Sequence, residues 1–249
     1  LADIIQHDKE ITENLASWNS KPLLRLVYRA MHVEIASELS GVPGDIIEVG
    51  SGIGNIKEVI PQCVRTDLFP NPWLDRTENV YALTCEDASV ANLILFDVFH
   101  HLRYPGTALR EIHRVLRPGG RAILYEPAMG LLGRIVFGAF HHEPIALSAP
   151  ITWTAPEGWT ADDADYYAAQ GNASRIFPPS SLGTCIEGLR LDVVRRSAQL
   201  SYVASGGYSG RQLYPDSAYP AMRKLDGILD LLPSIFATRM LVALRKPED

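Results

Sequence analysis

The sequence predicts an α/β protein built on a mostly parallel sheet, and three observations carry that reading. Ile46, Ile47 and Val49 form a short apolar run that enters the glycine-rich turn Gly50-Ser51-Gly52-Ile53-Gly54. Apolar residues without alternation mark a strand buried on both faces. Asn92–Val98 and Arg121–Tyr125 repeat such runs, and Thr107–Leu116 lies between them with Leu109, Ile112, His113, Val115 and Leu116 on one helical side. Lys21–Leu39 places Leu23, Leu24, Val27, Met31, Ile35 and Leu39 at three- and four-residue steps after Pro22, the spacing of an amphipathic helix leading into the first strand.

Composition narrows the function. The 249 residues are 47% hydrophobic and 21% charged with a net charge of −6. Residues 1–249 are read as a single domain with insertions. An acidic chain has no field to attract phosphate backbones, so nucleic acid is excluded as substrate. No stretch reaches the apolar length of a membrane span, and Asp3, His7, Asp8, Lys9 and Glu10 rule out a leader's apolar region. The expectation is a cytoplasmic protein with no membrane insertion and an open oligomeric state. Cys63, Cys85 and Cys185 show no close-pair metal spacing and are read as reduced structural thiols. Residues 3–19 carry Ile4, Ile5, Ile11, Leu15 and Trp18 at helical spacing, which suits a segment lying over the domain.

The motifs follow in order. Gly50, Gly52 and Gly54 accept positive φ and lack a Cβ, so a ligand can approach the backbone between the strand and the start of a helix, whose positive end is expected to face it. A dinucleotide fingerprint would place its third glycine at Asn55, so an NAD-dependent oxidoreductase is disfavoured. Cys63–Thr66 reads as a second strand ending at Asp67, where a carboxylate offers only acceptors to two ribose hydroxyls. Pro70 and Pro72 leave room for about one helical turn before Asn79-Val80-Tyr81-Ala82-Leu83. Asn92–Val98 then runs into Phe99-His100-His101-Leu102, with Leu95 to Asp97 expected to line a pocket at the strand's carboxyl end. Glu111-Ile-His-Arg-Val-Leu-Arg-Pro-Gly-Gly-Arg-Ala-Ile-Leu-Tyr-Glu-Pro127 closes the series.

From Asp45 to Pro127 this series resembles the class I S-adenosylmethionine-dependent methyltransferases of small molecules. The resemblance implies a Rossmann-like seven-stranded, mostly parallel sheet with an antiparallel last strand, helices on both faces, an N-terminal helical segment over 1–44 and substrate-capping insertions. Residues 45–127 would form the cofactor-binding core, with 128–185 and 203–236 on the substrate side. It implies S-adenosylmethionine as cofactor. Glu48, Gly50, Ser51, Gly52 and Gly54 would meet its methionine end, Asp67 its ribose, and Asn79 with Val80 its adenine. Leu68 and Phe96 would be apolar contacts. Asn79 and Ala91 stand where the family usually has Asp.

The remaining chain bears on the acceptor. His100, His101, His141 and His142 are candidate general bases, since imidazole takes a proton near neutral pH; structural turn or capping roles remain the alternative. No metal is expected, because consecutive residues rarely converge on one ion and His141-His142-Glu143 has no second cluster in sequence to complete a shell. Ser180–Gly188 reads as a helix start, Leu191–Tyr202 as a sixth strand, Pro220–Leu232 as a helix and Thr238–Leu244 as the last strand. A glycine loop with Tyr208 and Tyr214 completes a partly closed pocket for a small-molecule or lipid-like acceptor. The competing reading is a catalytically silent methyltransferase-like domain that binds cofactor or a partner.

Overall fold

The computed structural model describes residues 4–248, with side chains from Lys9 onward. Asp3 and the side chains of Ile4, Ile5, His7 and Asp8 lie outside the described residues. Two helices lead in, α1 (Ile4–Ser20) and α2 (Pro22–Ala36), followed by β1 (Asp45–Val49), β2 (Val64–Asp67), β3 (Arg76–Thr77) and β4 (Val90–Phe96). Then come α3 (Pro105–Val115), β5 (Leu116–Pro127), α4 (Leu131–Ala139), α5 (Asn172–Ile176), β6 (Cys185–Ile186) and β7 (Leu189–Ser197). The chain ends with α6 (Leu200–Ser205), α7 (Tyr219–Leu229), α8 (Pro233–Phe236) and β8 (Arg239–Arg245).

The strands form one sheet in the order β3-β2-β1-β4-β5-β8-β7-β6. The first five are parallel, and β8 runs antiparallel between β5 and β7. Each face carries its own core. On one side Ile47, Val49, Leu93, Leu95 and Leu124 meet Leu109, Ile112 and Val115 of α3. On the other, Ile94, Phe96, Ile123 and Tyr125 meet Leu24, Val27, Met31 and Ile35 of α2. Every residue of β4 is buried, which is why its sequence is apolar without alternation. Among the described residues no helix is long and apolar enough to cross a membrane.

Several expectations are corrected. The sheet has eight strands because short β6 pairs with β7 as an edge hairpin. The helix after the glycines is short, as Pro61 requires, and is a single 3-10 turn, Asn55–Glu58, with Gly54 at its N-cap rather than an α-helix. The third strand is Arg76–Thr77, and Asn79 pairs with Ala82 in an isolated bridge, because buried Glu78 takes Thr84 N and Thr84 Oγ1 and folds the chain back. The fourth strand stops at Phe96, where Asp97 adopts φ +56. The sixth strand ends at Ser197, and Gln199 at φ +46 starts α6 instead. Ser180–Gly188 is not a helix start; it holds part of the 3-10 turn Pro179–Ser181 and the hairpin strand β6. The expected helix Pro220–Leu232 is found as α7, ending at Leu229, and a further short helix, α8, starts at Pro233.

His32 on α2 is buried against Phe96, edge to face at 5.5 Å, and its Nε2 has no hydrogen-bond partner among the described residues. Burial holds its pKa down at about 4. The unfolded chain takes up that proton below about pH 6.5 while the folded chain does not. Its contribution to stability is therefore complete above pH 6.5 and lost as pH falls towards 4, by ~3 kcal/mol. His32→Leu should flatten the urea-unfolding profile between pH 7 and 4. An unchanged slope would show that another group controls it.

Candidate functional site

The strand order reverses between β1 and β4, and ligands of open α/β sheets bind outside the carboxyl ends at such a point. There Gly50, Gly52 and Gly54 have φ of +75, +51 and +69. A Cβ on Gly50 would lie 2.3 Å from Val98 Cγ2, so this glycine is required by close approach as well as by conformation. Hydrogen bonds tie the turn to β2: Ser51 N donates to Thr66 O at 2.8 Å, and Ser51 Oγ donates to Glu48 O. Gly52 N donates to Asp67 Oδ2 at 3.0 Å, while Leu68 N donates to Asp67 Oδ1. Asp67 thus sits beside the glycines, and a carboxylate oxygen can accept more than one hydrogen bond. Leu68 is exposed.

Glu48 is buried beneath the turn, and its Oε2 has no partner among the described residues. Burial lifts its pKa to about 7, helped by Asp67 and opposed by a Ser51 hydrogen bond. Such an orphaned carboxylate oxygen fits a cationic ligand group, as the ammonium of an amino-acid cofactor provides. Because the folded pKa is raised, Glu48 contributes fully below about pH 4.5, and that contribution disappears as pH rises through 7. Glu48→Gln should leave stability unchanged near pH 4.5 and raise it at pH 8 by up to ~3 kcal/mol. Equal urea midpoints for the two proteins at pH 8 would count against the buried charge.

Other predicted contacts are placed less simply. α1 lies over the turn, with Ile11 Cδ1 3.8 Å from where a Gly52 Cβ would stand. Lys21 Nζ donates to the carbonyls of Gly207, Tyr208 and Gly210, and Asn55 Nδ2 donates to Tyr208 Oη, so the glycine loop joins this cover. Asn79 Oδ1 accepts from Tyr81 N, and its Nδ2 donates to Ala161 O. It acts here as a turn residue that tethers the insertion. Val80 is buried in the core. Phe96 packs on Tyr28 at 5.5 Å and Tyr125 at 5.1 Å. Leu95 is wholly buried on the α3 side and does not line a pocket.

The structure brings all four candidate histidines around one carboxylate. His100 and His101 occupy the 3-10 turn Phe99–His101 after β4. The insertion is pinned beneath them by Ala169 N to His100 O at 3.0 Å, Gln170 N to Pro144 O at 3.1 Å and Gly171 N to Ile145 O at 2.9 Å. Glu143 thereby stands 3.6 Å from His100 Nε2, 3.6 Å from His101 Nε2, 3.8 Å from His141 Nδ1 and 4.0 Å from His142 Nε2. Tyr166 Oη donates to Glu143 Oε1 at 2.7 Å and Gln170 Nε2 donates to Glu143 Oε2. Gln170 Oε1 is buried without a donor among the described residues.

Glu126 supports the cluster from β5. Its Oε1 accepts from Val98 N and Phe99 N, and its Oε2 lies 2.6 Å from His100 Nδ1. Burial disfavours charge on His100, but Glu126 and Glu143 outweigh it and hold the imidazole's pKa at about 10. His100 therefore carries its proton at neutral pH and is removed as a general base. His101 is different: burial and the His100 charge lower its pKa. Its Nδ1 lies 2.8 Å from Tyr167 O, a carbonyl that can only accept, so Nδ1 bears the hydrogen and Nε2 keeps its lone pair.

Sequence reasoning missed Glu126, although an acid at the end of an apolar strand was a visible signal. The parallel register, with Phe96 opposite Tyr125, sets it beside the turn after β4.

Comparisons with known proteins bear on the fold that carries this site. The family described as a methyltransferase domain matches residues 47–124. A Haloferax volcanii chain, solved in a complex of a methyltransferase activator and a methyltransferase, is 14% identical with a TM-score of 0.53, covering 97% of this chain and 96% of that one. An S-adenosylmethionine-dependent methyltransferase from Thermotoga maritima is 13% identical with a TM-score of 0.52, covering 95% and 99%. One from Archaeoglobus fulgidus is 11% identical with a TM-score of 0.52, covering 89% and 94%. At these identities the likeness is one of fold. A comparison with curated proteins finds no match.

Proposed function

We propose that this chain, whose residues 47–124 match a methyltransferase domain family, is an S-adenosylmethionine-dependent methyltransferase that methylates a small-molecule or lipid-like acceptor held between the glycine turn and the Glu143 cluster. The observation that carries this reading is the convergence of His101, His141, Glu143 and Tyr166 beside the strand ends. When bound, S-adenosylmethionine supplies an electrophilic methyl group, whose carbon–sulfur bond breaks as the acceptor's lone pair forms the new bond.

The protein's residues supply position and proton handling. The glycine turn lets the cofactor lie against the backbone, Glu48 takes its ammonium group and Asp67 its ribose hydroxyls. With the Asn79 side chain spent on its turn and Val80 in the core, the adenine would meet this segment through its backbone, and α1 with the Tyr208 loop would exclude water. Residues 128–185 and 203–236 form the acceptor side, through Glu143, Tyr166 and Gln170 in the first and Tyr208 in the second. His101 Nε2 and Glu143 Oε1 mark where the acceptor's nucleophilic atom docks and its proton departs.

An acceptor screen with isotopically labelled methyl donor tests the reading, with S-adenosylhomocysteine release as readout. His101→Gln should lower kcat by about 100-fold or more while S-adenosylhomocysteine binding, measured by calorimetry, stays intact. Failure of the wild-type protein to bind S-adenosylhomocysteine would overturn the proposal and favour a fold put to another use.

A further inference from the structure

We propose that His100 Nε2, His101 Nε2 and the Glu143 carboxylate hold a divalent first-row transition-metal ion. The inference goes beyond the functional reading and stands without it, because it rests on donor geometry alone. The three ligand atoms lie within 4.8 Å of one another. Both nitrogen-to-carboxylate gaps are 3.6 Å, close to the ~3.4 Å edge of a tetrahedron with ~2.1 Å metal–ligand bonds.

The surrounding hydrogen bonds are those a metal site requires. A ligating histidine generally has its other ring nitrogen fixed by a carboxylate or carbonyl, which aims the free nitrogen at the ion. His100 Nδ1 meets Glu126 at 2.6 Å and His101 Nδ1 meets Tyr167 O at 2.8 Å. Both Nε2 atoms are thereby turned towards the same carboxylate. Tyr166 and Gln170 orient Glu143 from outside, and a carboxylate retains lone pairs beyond those two bonds. The buried, donorless Gln170 Oε1 is a further acceptor in this pocket.

Charge points the same way. Glu126 and Glu143 are both buried, and an ion that displaces the His100 Nε2 proton supplies the positive charge these two acids call for. Two imidazoles and one carboxylate suit zinc, iron, cobalt or manganese rather than calcium or magnesium. A second grouping, Asp97, His100 and Glu126, is not a comparable site, because Arg239 engages Asp97 and backbone N–H groups engage Glu126. Consecutive histidines converge here because the 3-10 turn brings their rings to 4.1 Å, and the shell is completed by a residue from a distant segment. The ion takes the His101 Nε2 lone pair, so His101 serves as proton acceptor only in the metal-free form of the protein.

The test uses the full chain, stripped with chelator and titrated with Co2+ by visible absorption and with Zn2+ by calorimetry. One equivalent should bind, with the ligand-field bands of a four- or five-coordinate site, and Zn2+ should displace Co2+. Glu143→Gln and His101→Ala should each weaken binding by more than the ~10–100-fold that loss of an outer partner costs. Cys185→Ser, at an exposed thiol, should leave it unchanged. Absence of saturable binding to the wild-type protein overturns the proposal without recourse to any variant. Loss of binding in Cys185→Ser, or undiminished binding in Glu143→Gln, overturns it as well. S-adenosylhomocysteine affinity, measured in parallel, reads the cofactor site separately, so failure of either proposal is seen independently of the other.

Discussion

Asp97→Asn is expected to destabilise the protein by ~3 kcal/mol, the range for a buried cation left without its counter-charge. Arg239 opens β8 and is only 1% exposed. Its Nη2 donates to Asp97 Oδ2 at 2.7 Å, its Nη1 pairs with Oδ1, and its guanidinium lies 4.6 Å from the centre of the Tyr202 ring. Rings of Phe96 and Tyr125 close the other sides at 5.7 and 5.8 Å. Asparagine tolerates the positive φ of residue 97, so this change isolates the charge from backbone strain. Arg239→Met should be milder: methionine refills the apolar space, and the Asp97 side chain is 33% exposed and can hydrate. Guanidinium unfolding of both variants decides the matter. A larger loss for Arg239→Met than for Asp97→Asn would mean that packing, not charge burial, holds this corner.

The second large effect concerns the proposed cofactor site. Asp67→Ala should weaken S-adenosylhomocysteine binding by about 100-fold or more, since hydrogen bonds to a charged acceptor contribute ~1.5–3 kcal/mol each. The same change removes the acceptor of Gly52 N and loosens the turn. Asp67→Asn keeps an acceptor oxygen and should fall between the two. Calorimetry supplies the readout, and an Asp67→Ala affinity within ~3-fold of wild type would falsify the ribose role.

Much of the central sheet was legible because burial leaves a direct trace. β1, β4 and β5 are apolar on both faces, and the turn after β1 needs glycine where Val98 comes within 2.3 Å of a would-be Cβ. Helices α2 and α3 were legible by their apolar stripes for the same reason. Elements at the sheet margins left a weaker trace. Two-residue β3 and β6 have no room for a period, and β7 gives way to α6 at Ala198-Gln199 through a left-handed residue rather than a turn motif. The short helix that Pro61 allows after the glycines is a 3-10 turn rather than an α-helical one, beside the tie of Gly52 N to Asp67.

The chain's own sequence thus determined the buried strands, the glycine turn and the acid at the end of β2, since each leaves a local trace in residue type. Only the tertiary structure decided what the histidines do. His100-His101 and His141-His142-Glu143 are each unremarkable runs in sequence, roughly 40 positions apart. Backbone hydrogen bonds from residues 169–171 to His100, Pro144 and Ile145 draw them into one cluster. Glu126 reaches His100 only through the parallel pairing of β4 with β5. Periodicity records which residues are buried, but not which distant segments meet, because that choice depends on chain closure between elements with no local signature.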